Sequence, residues 1–211
     1  MIYLLSSSFY EDLENLPMIE FVPTVKSIDF SSYDILLFTS QNAVSILNEI
    51  NPAWLVFPCI AIGSQTAKKI QEFGGLVIGV SESYYASSLS EMIKEKFANK
   101  KILYLRPKEI ASNALLSLKE QGIDIRDKII YETKCKNYAT SHKPQNGAII
   151  IATSPSTIKC FIKNFGSFDG YKVIAIGDTT AAALPAGTDF MIAPKPLISE
   201  CIKLAKEISN S

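Results

Sequence analysis

The stretches "CIAIGSQTAKKI" (Cys59 to Ile70) and "VIAIGDTTAAAL" (Val173 to Leu184) are two versions of one phrase. Ahead of each lies a second shared phrase, "LLFTSQNAVSIL" from Leu36 and "IIATSPSTIKCF" from Ile150. Both phrases keep the same offset: Thr39 maps to Thr153, Ser40 to Ser154, Gly63 to Gly177, Thr66 to Thr180 and Ala67 to Ala181, each 114 residues on. Two phrases in register across that distance mark an internal duplication, and a repeat decides the architecture before any single motif is read.

Working outward, short apolar runs alternate with longer segments of helical period. Ile2 to Leu5, Ile35 to Phe38, Cys59 to Gly63, Leu76 to Val80, Ile102 to Leu105, Ala148 to Ala152 and Val173 to Gly177 are continuous and rich in β-branched residues. Such runs suit strands buried on both faces of a parallel sheet. Between them "SQNAVSILNEI", "SQTAKKIQEFGG", "SSLSEMIKEKFANK", "SNALLSLKEQG" and "SPSTIKCFIKNFG" read as helices, several opening on Ser and closing near Gly. This alternation predicts an α/β fold with parallel sheets. The start "MIYLLSSSFYEDLENL" pairs with "KILYLRPKEIASNALLSLKEQG" from Lys101, both expected as strand, loop, helix. Two extended stretches, Met18 to Phe30 and Ile123 to Tyr138, lack helical period and are expected to cross between two domains.

Composition narrows the function classes. With 21 basic and 21 acidic residues the chain is formally neutral, which argues against a nucleic-acid binder. No apolar run approaches the roughly 20 residues of a membrane span. The N-terminus has no basic region before its short apolar run, so a cytoplasmic protein is expected. Cys59, Cys135, Cys160 and Cys201 lie far apart, and there is one histidine, so no metal site is expected. The four thiols are expected to be reduced and mostly buried. Neither G-x-G-x-x-G nor G-x-x-x-x-G-K-[ST] occurs, and there is no G-x-S-x-G elbow.

The repeated phrases carry the candidate binding chemistry. In "TSQNAV" and "TSPSTI" a strand ends where Ser or Thr opens a helix, and in "IGSQTA" and "IGDTTA" a Gly does so with a Thr following. Free N–H groups and a partial positive charge at helix N-termini suit carboxylates and phosphates. Ligands of open α/β sheets bind beyond the carboxyl ends of the strands. Each turn taken alone reads equally as a simple helix cap; the matched set of four favours a site. Tyr131, in "IIYETKC" within an expected crossing, is a candidate proton donor, its other reading being a plain strand tyrosine.

Taken in order, "LLFTSQNAV", "IAIGSQTA", "IIYETK", "IIIATSPSTIKCF" and "KVIAIGDTTAAAL" resemble the uroporphyrinogen-III synthase family, over essentially the whole chain. The resemblance implies two flavodoxin-like α/β domains joined by a two-stranded ladder. One domain takes residues 1–19 with 134–211, the other residues 24–130, and 20–23 and 131–133 cross between them. It implies a cyclising hydro-lyase without a cofactor. Its substrate is linear hydroxymethylbilane, a tetrapyrrole with eight carboxylates, closed with ring D inverted and water lost. Tyr131 matches the family's tyrosine and is expected to assist departure of the hydroxyl. Thr39, Ser40, Gly63 and Thr66 match binding positions in the first phrase pair; Ser154, Lys172, Gly177, Thr179 and Thr180 match them in the second. Arg106 and Pro107 give the family's Arg-Pro pair only after the strand opening the second half, since Ser6 and Ser7 stand after the first strand. A monomer receiving its substrate from hydroxymethylbilane synthase is expected. The competing reading is a non-catalytic two-domain clamp on a small polyanion, which would use the same turns without needing Tyr131.

Overall fold

A computed structural model describes residues 1–81, 86–109 and 118–209. Along the chain the strands are β1 (Ile2–Leu4), β2 (Glu14–Asn15), β3 (Ile19–Pro23), β4 (Ile35–Phe38), β5 (Pro58–Ile62) and β6 (Leu76–Ser81). They continue with β7 (Ile102–Pro107), β8 (Ile125–Cys135), β9 (Ile149–Ala152), β10 (Lys172–Ala175) and β11 (Phe190–Ile192). The helices are α1 (Gln41–Ile50), α2 (Ser64–Glu72), α3 (Ala86–Phe97), α4 (Pro155–Phe165), α5 (Asp178–Ala181) and α6 (Ile198–Ser209). The helix expected in "SNALLSLKEQG" falls mostly outside the described residues.

The chain divides into two compact units. Unit 1 comprises Met1–Glu20 and Lys134–Ser211; unit 2 comprises Phe21–Thr133. The sheet of unit 1 has the order β11-β10-β9-β1-β2, and the second sheet the order β3-β8-β7-β4-β5-β6. Pairs β1–β2, β1–β9, β9–β10 and β10–β11 are parallel, as are β4–β5, β4–β7, β5–β6 and β7–β8. Starting the count at β7, the run β7, β8, β4, β5, β6 has the same spatial order as β1, β2, β9, β10, β11. Both are the flavodoxin-like order 2-1-3-4-5. The duplication is therefore topological as well as sequential: β4 and β9 have the bounds 35–38 and 149–152, the same 114-residue offset.

Each sheet is covered on both faces, which is why its central strands are continuously apolar. All four residues of β4 and of β9 are buried. Alternation splits them between two cores. In unit 2, Leu36 and Phe38 join Ala43, Leu47 and Trp54 on one face, while Ile35 and Leu37 join Leu89 and Ile93 on the other. In unit 1, Ile150 and Ala152 pack with Phe161 and Phe165 of α4, and Ile149 and Ile151 pack with Cys201 and Ala205 of α6.

Strands β3 and β8, which contain the points where the chain passes from one unit to the other, are sheet neighbours. Thr24 N–H donates to the Ile130 carbonyl at 3.0 Å and Lys136 N–H to the Met18 carbonyl at 2.9 Å. Numbers rising on one strand as they fall on the other make the pair antiparallel.

Two expectations need correction. No helix follows β1: residues 5–13 form turns leading into β2. Asn15 explains this locally, because its side chain accepts from Tyr10 N–H at 3.0 Å and donates to the carbonyls of Tyr10 at 2.7 Å and Leu13 at 3.0 Å. An asparagine bonding nearby backbone in this way competes with helix formation. Nor are all four cysteines thiols. Cys135, the last residue of β8, is disulfide-bonded to Cys160 of α4, with the Cα atoms 5.2 Å apart. Cys59 and Cys201 are free and buried, and burial pushes their thiols up to about 12 and about 11 respectively.

Candidate functional site at the strand ends

In unit 2 the site begins where β4 stops. Ser40 is the N-cap of α1, with its hydroxyl oxygen accepting from Asn42 N–H at 3.1 Å. Beside it, at the end of β5, Gly63 is the N-cap of α2 with φ at +82°, a conformation that glycine alone adopts readily. Thr66 follows in the first turn of α2 and is buried. The neighbouring strands β4 and β5 are in register through Phe38 and Ala61, so Thr39, Ser40 and Gly63 share one edge of the sheet.

Tyr131 reaches this edge from β8. Its ring is buried, edge-on to Phe21 at 5.6 Å, and its hydroxyl donates to Ser40 Oγ at 3.5 Å. Burial holds the phenol above its ordinary value; the Ser40 bond works against that shift and the nearby Tyr104 adds to it. The group is thus a protonated donor through the neutral range, on a long bond that a better acceptor can replace. Thr39 in turn shares a hydrogen bond with the Tyr104 hydroxyl at 3.1 Å, in which either oxygen can donate. In the sequence Tyr104 is one member of the apolar run Ile102 to Leu105, and nothing in that run distinguishes it.

Arg106, singled out beside Pro107, is held within the fold. Its Nε donates to Asp127 at 2.8 Å, and its terminal nitrogen donates to the carbonyls of Pro107 at 2.9 Å and Lys108 at 3.3 Å. Burial opposes ionisation of Asp127, but the Arg106 hydrogen bond and charge, with Lys119, outweigh it and keep that carboxyl below its usual range. Arg106 therefore fixes the end of β7 rather than offering a free cation.

Unit 1 carries the second set. Ser154 caps α4 in a capping box: its hydroxyl accepts from Thr157 N–H at 3.3 Å, and Thr157 Oγ1 accepts from Ser154 N–H at 3.3 Å. Gly177 is the N-cap of α5, followed by exposed Thr179 and buried Thr180. Here φ is −177°, extended backbone open to any residue. Helix α5 spans only Asp178–Ala181, so its dipole is small beside that of the nine-residue α2. Lys172 stands apart from this set. It opens β10, at the end of the strand opposite Gly177.

Matched turns, parallel-sheet topology and the placement of Tyr131 against Ser40 frame the comparison with known proteins. A family profile described as Uroporphyrinogen-III synthase HemD matches residues 12–203. The chain belongs to the uroporphyrinogen-III synthase family. Among solved structures, it is similar to the uroporphyrinogen-III synthetase of Helicobacter pylori 26695, with 31% identity, 98% of each chain covered and a TM-score of 0.82. It is also similar in fold to a mutant uroporphyrinogen III synthase of the extreme thermophile Thermus thermophilus. That match has 14% identity, covers 92% of this chain and 88% of that one, and has a TM-score of 0.51. No curated protein sequence matches the chain. The described residues of this synthase-family chain hold no group of three or more His, Cys, Asp or Glu able to take a metal. None of their helices is long and apolar enough to cross a membrane.

Proposed function

We propose that this chain is a uroporphyrinogen-III synthase that closes hydroxymethylbilane into uroporphyrinogen III, inverting ring D and releasing water. The observation that carries this reading is the end-to-end similarity to the Helicobacter pylori enzyme, across 98% of both chains. The strand ends supply what such a substrate needs. Helix N-terminal amides and the hydroxyls of Thr39, Ser40, Thr66, Ser154, Thr179 and Thr180 offer hydrogen-bond donors to a polycarboxylate, without a strongly basic surface. Gly63 and Gly177 leave the backbone open to it; Lys172 is the outlying member of the set.

In this mechanism the phenol of Tyr131 gives its proton to the departing hydroxyl, and the C–O bonding pair leaves with the water formed. The adjacent pyrrole nitrogen, keeping its hydrogen, supplies electrons to the carbon left behind, giving a cationic, N-protonated azafulvene. The substituted carbon of ring D then attacks it, and the resulting spiro intermediate fragments and recloses with that ring turned over. Loss of the proton displaced at the new ring junction restores the phenol, so the net change is bilane to macrocycle plus water. Burial keeps Tyr131 protonated for the first step, and orientation of the flexible bilane supplies the selectivity.

To this reading belong a monomer working in the cytoplasm, with substrate handed on by hydroxymethylbilane synthase. The test is a product assay with hydroxymethylbilane generated in situ, products oxidised and isomers separated. A large excess of isomer III is expected; isomer I alone, from folded protein, would leave the polyanion clamp as the better reading.

A further inference from the structure

The geometry points to Tyr104 as a positioning residue of the unit 2 site, one that sets the direction of the Thr39 hydroxyl toward a carboxylate of the substrate. This rests on the synthase reading and adds a residue to it.

Two independent observations meet at this side chain. The first is a break in the repeat. Tyr104 pairs in register with Leu37 on β4, and the equivalent pair in unit 1 is Leu4 with Ile151. Leu4 is fully buried and fills its core with no polar atom. A phenol at the same place must desolvate a hydroxyl, which is unfavourable unless a partner receives it. The core of the fold thus accepts leucine here, and unit 2 carries a hydroxyl instead.

The second is where that hydroxyl goes. Strands β7 and β4 are the neighbours at which the connections of unit 2 diverge: β7 continues to β8 on one side, β4 to β5 and β6 on the other. A divergence of this kind opens a crevice at the carboxyl ends of the strands, where ligands of open α/β sheets bind. The Tyr104 hydroxyl bridges it, reaching Thr39 just past the end of β4.

The two sheet faces then converge. Tyr131 comes from the core face of Leu36 and Phe38, Tyr104 from that of Ile35 and Leu37. Consecutive residues Thr39 and Ser40 each engage one phenol. A phenol is the more acidic partner of an aliphatic hydroxyl and so the better donor. With Tyr104 donating to Thr39 Oγ1, the Thr39 proton is left for an acceptor in the crevice. Without the phenol, that hydroxyl is free to turn inward.

The experiment compares wild type, Tyr104→Phe, Thr39→Val and the double variant, by steady-state kinetics on hydroxymethylbilane generated in situ and by thermal midpoint. Loss of one directed hydrogen bond made equally in ground and transition states raises KM by about fivefold with kcat little changed. The same rise is expected for each single variant, and no further rise for the double. A lower midpoint with wild-type KM in Tyr104→Phe would mean that the phenol only packs, and would overturn the inference. Additive effects of the two substitutions would overturn it as well. Should Tyr104→Phe not fold, a wild-type KM in Thr39→Val overturns it in the same way. Wild-type protein forming no isomer III would overturn the synthase reading itself, a separate result.

Discussion

Gly63 and Gly177 hold the same place in the two copies of the repeat, yet their backbones differ: φ is +82° at Gly63 and −177° at Gly177. Only the first lies where a side chain is strained. A Cβ at either position meets no atom within 4 Å, so conformation and not space separates them. Gly63→Ala is expected to lower stability by about 1–3 kcal/mol. Gly177→Ala is expected to keep its thermal midpoint, because its backbone there is already extended and the added methyl meets nothing. Equal midpoint losses in the two variants would show that the difference in φ carries no energetic weight.

The repeat was legible because both its phrases sit at buried parallel strands and the helix starts after them, where few residue types fit. Ile149, Ile150 and Ile151 announce a strand covered on both faces, and Ser154 announces a cap. What escaped depends on partners distant in sequence or on a single side chain. Asn15 turns the chain after β1 through three local bonds that a propensity count misses. The edge strand β11 is three exposed residues, without the buried run that marks β9 and β10. Tyr104 reads as core because its ring is core; only its oxygen belongs to the site.

The disulfide makes a countable prediction. Under denaturing, non-reducing conditions two thiols, Cys59 and Cys201, are expected to react, and four after reduction. The bond closes a 25-residue separation, and releasing it should cost about 3–4 kcal/mol in the chain-entropy view. Reduction should therefore lower the thermal midpoint of the wild type and leave that of a Cys135→Ser, Cys160→Ser variant unchanged. Four reactive thiols without reductant would restore the expectation drawn from the sequence.

Burial raises the phenols of Tyr131, Tyr138 and Tyr171. A tyrosine whose folded value lies above its unfolded one keeps its proton longer in the native state. Its contribution to stability is thus full below the unfolded value, about 10, and is lost as pH rises through the folded value. Tyr131→Phe removes one such contribution, so its stability should fall less steeply above about pH 10 than that of the wild type. Thermal midpoints followed through that range check it, and identical slopes would show that Tyr131 titrates normally. On the same grounds, ionisation of Tyr131 should cause no alkaline decline in turnover below about pH 10.

Ser154 allows capping and binding to be told apart in one residue. As N-cap of α4 its hydroxyl receives Thr157 N–H, and alanine there should destabilise by about 1 kcal/mol. Glycine at an N-cap costs only a few tenths of that scale, because water can reach the amides it leaves open. A capping role alone therefore predicts that Ser154→Gly retains both midpoint and turnover while Ser154→Ala loses stability. A binding role predicts that both variants raise KM by a similar factor, whatever their midpoints. We expect the second pattern, since an oxygen that accepts from the helix still has its own proton to give. Kinetics and melting curves on the two variants decide it, and a wild-type KM in Ser154→Gly would return this serine to the fold.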